Sequence, residues 1–156
     1  MKSPIKGVII KELAVLKDER GWLVELFRND ELAKGIQPLM AYLSSTKPGV
    51  ARGPHEHKKQ SDLFCFLGFS SFRIYLWDNR KKSSTFKKRF TFDCDQLKPT
   101  LVIVPPGVVH GYKNTGTTYG LVFNAPNRLY KGRRRIQKAD EIRHEENPDS
   151  PFKLVD

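Results

Sequence analysis

The residues best suited to chemistry stand in "ARGPHEHKKQ", residues 51–60, where Arg52 precedes His55 by three positions and His57 follows it by two. Imidazole changes charge near neutral pH and is also a common metal ligand. On a strand, residues i and i+2 share a face, so His55 and His57 would point together and Glu56 away. A third histidine, His110, lies in "VPPGVVHGYKN", just after a Pro105-Pro106-Gly107 turn. Three readings are open for the set: a catalytic base with a helper, a metal site, or a wet strand edge. As a metal site, His55, His57, Asp62 and His110 would suit Fe(II), Mn(II), Ni(II) or Zn(II).

These side chains need a scaffold of strands. "GVIIKEL", "GWLVELFR", "LMAYLSS", "DLFCFLG", "SFRIYLW", "FKKRFTF", "TLVIVP" and "YGLVFNA" read as short strands bounded by turn residues. "ELAKG" reads as one helical turn, and "KADEIRHEE" as a weak helix near the C-terminus. Many short strands at roughly ten-residue spacing argue for a β-sandwich or barrel, and a jelly roll fits their number. The 156 residues suit one domain, 1–156.

The net charge of +11 favours an anionic partner. A solvated, Lys-rich face is the plain alternative. No nucleic-acid-binding motif accompanies the charge, so nucleic acid is not expected. No apolar run approaches the ~18 residues of a membrane span. The start, "MKSPIKGVII", does not read as a signal peptide, and the expected compartment is the cytoplasm. Cys65, in "DLFCFLG", reads as an inert core thiol, and Cys94 makes no metal-type spacing with it. Trp22 and Trp77 are expected in the core, and His144 at the surface.

The two histidine motifs resemble those of the cupin superfamily. Gly49, His55, His57 and Asp62 follow its first motif, with Asp where Glu is usual; Pro105, Gly107, His110 and Asn114 follow its second. The resemblance implies an all-β, cupin-like jelly-roll barrel with the three histidines converging inside. A short C-terminal helical segment is expected after it. Within the superfamily, "DERGWLVELF", "ARGPHEHKK" and "VPPGVVHGY", in that order, resemble the dTDP-4-dehydrorhamnose 3,5-epimerase family.

That resemblance implies proton transfer beside the ketone of a nucleotide-linked 4-keto sugar, in a homodimer and without a cofactor. It makes His55 the base. Arg20 and Arg52 hold the diphosphate or sugar, with Arg20 and Glu25 acting across the dimer. His110 lines the sugar pocket. His57, His110, Lys58 or Lys59 would steady the enolate. The family's acid, a tyrosine, aligns with Phe123, which cannot donate a proton; Tyr130 and Tyr112 are the substitutes. Met40 and Tyr42 replace a Q-x-N sugar contact. A family lysine aligns near Ser61, and Asp149 stands in for the carboxylate that orients the base.

Other readings stay open. "RGPHEHK" also resembles the sugar 3,4-ketoisomerases, in which both histidines shuttle protons and a tyrosine lies on the preceding strand, near Tyr42. A metal-dependent cupin enzyme is another, and a sugar-nucleotide binding protein that has lost its acid is the last.

Overall fold

Two five-stranded antiparallel sheets lie face to face in a computed structural model that describes residues 1–155. The strands, in chain order, are β1 (Ile9–Glu12), β2 (Val15–Asp18), β3 (Gly21–Val24), β4 (Tyr42–Thr46), β5 (Ala51–Glu56), β6 (Asp62–Leu67), β7 (Phe72–Asp78), β8 (Arg89–Cys94), β9 (Thr100–Val104), β10 (Val108–Asn114), β11 (Gly120–Asn124) and β12 (Ile142–Arg143). The first sheet runs β1-β9-β6-β11-β4 and the second β12-β5-β10-β7-β8; β2 and β3 form a separate hairpin. Each sheet keeps its own edges, so the jelly roll is an open sandwich rather than a closed barrel. Among the described residues no helix is long and apolar enough to cross a membrane.

Strand alternation explains the layers. On β6, Phe64 and Phe66 face the space between the sheets, and on β9 Val102 and Val104 do the same. They meet Phe72, Ile74 and Leu76 of β7 and Val108 of β10 from the other sheet. Their neighbours Leu63, Cys65, Leu101 and Ile103 face outward, under a cover of Val24, Leu26, Phe27, Leu32 and Ile36. Both faces of β6 and β9 are therefore buried, which is why these strands read as continuous apolar runs. Each fully buried Leu, Val or Phe contributes ~1.5–3 kcal/mol. Burial pushes the Cys65 thiol up to about 12, as an inert core thiol requires.

The C-terminal segment corrects two expectations. "KADEIRHEE" is not helical: Ile142 and Arg143 pair with Glu56 and His55 at the edge of β5. The amides of His144 and Glu145 both reach the Pro54 carbonyl. An unpaired strand edge outcompetes a weak helical propensity. The one helical turn among the described residues is a 3₁₀ turn at Arg133–Arg135. "ELAKG" likewise forms only hydrogen-bonded turns. His144 is not a free surface group either; its Nε2 lies 3.0 Å from the Glu56 carboxylate. Trp77 is buried as expected, but Trp22 is 53% exposed on the β2–β3 hairpin.

Candidate active site

Strand pairing brings the histidines together. His55 on β5 stands directly opposite His110 on β10, and both point between the sheets. Their ring centroids are 4.4 Å apart, and that of His57 is 5.5 Å from His55. The approach needs the glycine of "RGPH". Gly53 has φ +80°, and a Cβ there would lie 2.8 Å from the His110 carbonyl oxygen. Glu56 turns outward as alternation requires and accepts from Asn79 Nδ2 at 2.9 Å.

Asp62 comes in from the first sheet, on the same face of β6 as Phe64. It is 1% exposed. Its Oδ2 lies 2.9 Å from His57 Nε2 and 3.1 Å from His110 Nε2, while Oδ1 accepts from Gln60 Nε2 at 3.0 Å. Burial alone would raise its carboxyl. The hydrogen bonds from His110 and His57 outweigh that and hold it well below the usual carboxylate range. His57 also meets the Asp140 carbonyl through Nδ1. With an acceptor at each ring nitrogen, His57 sits as an imidazolium would. Burial opposes that charge, but the bond to Asp62 prevails and its pKa is raised.

His55 differs. Burial, then the neighbouring His110 and His57, push its pKa well below 6.5. It is therefore a neutral imidazole near pH 7, and a free base.

Asp140 ties the C-terminal segment to this cluster. Its carboxylate accepts from the amides of Lys58 at 3.0 Å, Lys59 at 2.8 Å and Gln60 at 2.9 Å. Burial would raise its carboxyl, but those three bonds lower it. Asp140 thus holds the His57 turn; it does not contact His55, the residue for which a carboxylate at Asp149 is expected. Asp149 itself is exposed. Neither "EHKKQ" nor the charged tail signalled Asp140.

The four side chains at the cluster also fit a metal. Their ligand atoms all lie within 4.8 Å of one another. His57 and His110 each hold a backbone carbonyl through Nδ1, of Asp140 and Val108 respectively. That leaves both Nε2 atoms facing inward, the outer bonding of metal-bound imidazoles.

The cluster opens into a cleft of about 1480 Å³, lined on one side by Arg52, His55 and His57 and on another by Tyr42, Ser44 and Asn124. Ordinary small-ligand pockets hold ~300–1,000 Å³, so there is room for a long ligand. Arg128, Lys131, Arg133, Arg134, Arg135 and Lys138 line its outer part. Much of the net positive charge therefore gathers at this opening.

The comparisons with known proteins agree with the geometry. Residues 2–141 match the model of the family described as dTDP-4-dehydrorhamnose 3,5-epimerase. The chain belongs to that family. It is 38% identical over 128 residues, 81% of each chain, to the probable low-salt glycan biosynthesis epimerase Agl13 of Haloferax volcanii. It is 36% identical over 115 residues, 73% of this chain and 74% of the relative, to the spore coat polysaccharide biosynthesis protein SpsL of Bacillus subtilis. In fold it resembles a dTDP sugar isomerase from Desulfovibrio desulfuricans G20, with a TM-score of 0.83 over 98% of this chain and 95% of that one, at 24% identity. NovW, a 4-keto-6-deoxy sugar epimerase of Streptomyces spheroides, superposes with a TM-score of 0.77 over 97% and 78% of the two chains, at 20% identity.

As a dTDP-4-dehydrorhamnose 3,5-epimerase family member, the chain is an isomerase, a nucleotide-sugar epimerase. Its site departs from the sequence reading at several residues. Phe123 does not face the cleft. It packs on the outer face of β11, its ring centroid 6.5 Å from that of Phe27. The inward residue is Asn124, one position on. A shift of one residue turns a side chain to the opposite face. Tyr112 lines the cleft as a buried side chain, 3.2 Å from Ser44 Oγ, and burial raises its phenol. Tyr130 stands half-exposed at the cleft rim, with Lys131 over its ring.

The cations divide as well. Arg52 lines the cleft, its guanidinium fixed on Thr46 Oγ1 and the Ser45 carbonyl, both at 3.0 Å. Arg20 does not; it sits on the turn of the β2–β3 hairpin, bonded to Asp18. Glu25 pairs with Arg28 at 3.8 Å. Lys58 enters through its backbone amide, and its exposed side chain is not part of the cleft lining.

Proposed function

We propose that this epimerase acts on a dTDP-linked 4-keto-6-deoxy sugar, with His55 as the base. The neutral, inward-facing His55 beside a fixed His57–Asp62–His110 network carries the reading. The C4 ketone acidifies the neighbouring C–H; His55 takes that proton, and the electrons move onto the ketone oxygen. The network steadies the resulting oxyanion. Arg52 and the basic outer cleft receive the diphosphate, for which guanidinium forks are well shaped. The working compartment is taken as the cytoplasm, in keeping with two buried free thiols.

The working form is a homodimer in this reading. The β2–β3 hairpin exposes Leu16, Trp22 and Leu23, by 63%, 53% and 60%. These apolar groups call for a cover. Crossing to a second copy would supply one and bring Arg20 to the partner's cleft.

The test is product formation from dTDP-4-keto-6-deoxyglucose, followed by proton NMR. Inversion at C3 or C5 supports the reading. A 3-keto isomer would instead assign the ketoisomerase reaction, and an unchanged substrate with tight dTDP binding the binding protein. Phe123, the main support for a lost acid, lies outside the cleft. A second reading, a divalent metal on His55, His57, Asp62 and His110, is favoured by the two Nδ1–carbonyl bonds. Metal near one per untagged chain, lost in His57→Ala, would establish it.

A further inference from the structure

We propose that Tyr42 returns the proton, on the sugar face opposite His55. This rests on the epimerase reading above.

Tyr42 and Asn124 are partners across β4 and β11, and both line the cleft. Asn124 Nδ2 donates to Tyr42 Oη at 2.6 Å. A phenol oxygen that accepts from the amide has its own O–H left to give. Among the described residues no protein acceptor takes that proton. Asn124 Oδ1 is the one buried side-chain polar atom among them without a partner, on a residue 2% exposed. Buried polar atoms in folded proteins are satisfied nearly always. An orphan acceptor in the cleft therefore points to a ligand donor, and a sugar hydroxyl is the fitting one.

The topology supplies the required opposition. His55 comes from the second sheet and Tyr42 from the first, so a sugar between them meets a base on one face and a phenol on the other. Tyr42 is 48% exposed as a residue, but desolvation at its phenol end, with the Asp62 charge adding to it, pushes that group up to about 12. It stays protonated at neutral pH and ready to donate. Tyr112 and Tyr130 also line the cleft, but Tyr112 stands on β10 in the same sheet as His55, and Tyr130 lies beyond the end of β11, so neither has the place of Tyr42 on the facing sheet.

The step balances as follows. His55 gains the α-proton, and the C–H electron pair forms the enolate. The Tyr42 O–H then gives its proton to the same carbon from the other side. The new C–H bond forms as the enolate returns to the ketone, leaving Tyr42 as phenolate and His55 as imidazolium. Water carries the proton from His55 back to Tyr42.

The experiment compares the parent protein with Tyr42→Phe in D2O, with dTDP-4-keto-6-deoxyglucose as substrate. The expected result is a loss of inverted product of about 100-fold or more. Deuterium should still enter the α-carbon with its configuration retained, through His55 alone, and dTDP affinity should stay within about twofold. If the parent neither exchanges nor inverts, the epimerase reading fails first. If the parent inverts and Tyr42→Phe inverts at the parent rate, Tyr42 is not the acid. Loss of exchange and inversion together at an unchanged melting temperature also overturns the proposal, as does the same split appearing in Tyr112→Phe. Fluorotyrosine at position 42 covers a folding failure of the Phe variant. Its more acidic phenol should move the alkaline limb of the rate profile to lower pH, and an unmoved limb counts against Tyr42.

Discussion

The histidine wall on the second sheet is held in place from both sheets, whereas the arginine-bearing hairpin stands exposed. His55, His57 and His110 lie in registered or adjoining strand positions, and Asp62 and Asp140 fix two of them. Arg20 stands with a side chain 85% exposed and, among the described residues, is paired with Asp18 on its own turn. The contrast separates two jobs. Proton transfer needs groups held to fractions of an ångström before substrate arrives. Anion capture needs charge at the mouth, which the ligand or a second chain can organise on binding.

The comparison can be broken at Asp62 first. Asp62→Asn leaves His57 and His110 without their shared charge, and removing one partner of a buried pair costs ~3–5 kcal/mol. Thermal unfolding should show it as a large drop in melting temperature. An unchanged melting temperature would mean the wall does not depend on this carboxylate.

Gly53→Ala comes next. The added Cβ would meet the His110 carbonyl at 2.8 Å from a residue at φ +80°. Such strain costs ~1–3 kcal/mol, and denaturant unfolding would read it. The rim should respond differently. Arg52→Ala should weaken dTDP binding about tenfold by calorimetry, matching a charge-assisted hydrogen bond of ~1.5 kcal/mol or more, with little effect on unfolding. Equal losses of stability from Arg52→Ala and Asp62→Asn would erase the distinction. The smallest effect belongs to Phe123→Tyr. Its new hydroxyl would sit outside the cleft, so turnover should stay within about twofold of the parent.

The wall was legible in the sequence because strand alternation is simple. Two histidines at i and i+2 must share a face, and "PPGVVH" sets the third at the start of a strand. Phe123 shows the weakness of the same rule. On β11 the ring of Phe123 faces outward and the next residue, Asn124, faces the cleft, so a role expected of Phe123 falls on the wrong face. Asp140 and His144 were hidden for another reason: they reach β5 through an irregular segment whose course no local pattern reveals. That segment docks by backbone bonds to Pro54 and by Asp140 on the 58–60 amides, contacts that depend on tertiary position and not on periodicity. Trp22 was misplaced because an exposed hairpin and a core strand share the same apolar alternation.

The most direct test of the account is solvent deuterium entry into dTDP-4-keto-6-deoxyglucose, measured across pH for the parent protein and His55→Asn. The lowered His55 pKa keeps the base neutral below its ordinary 6.5, so the acid limb of the parent profile should fall well under pH 6.5. His55→Asn should slow exchange by ~10²–10⁴-fold while its melting temperature stays near that of the parent. Exchange at the parent rate in a folded His55→Asn protein would contradict the assignment of His55 as the base.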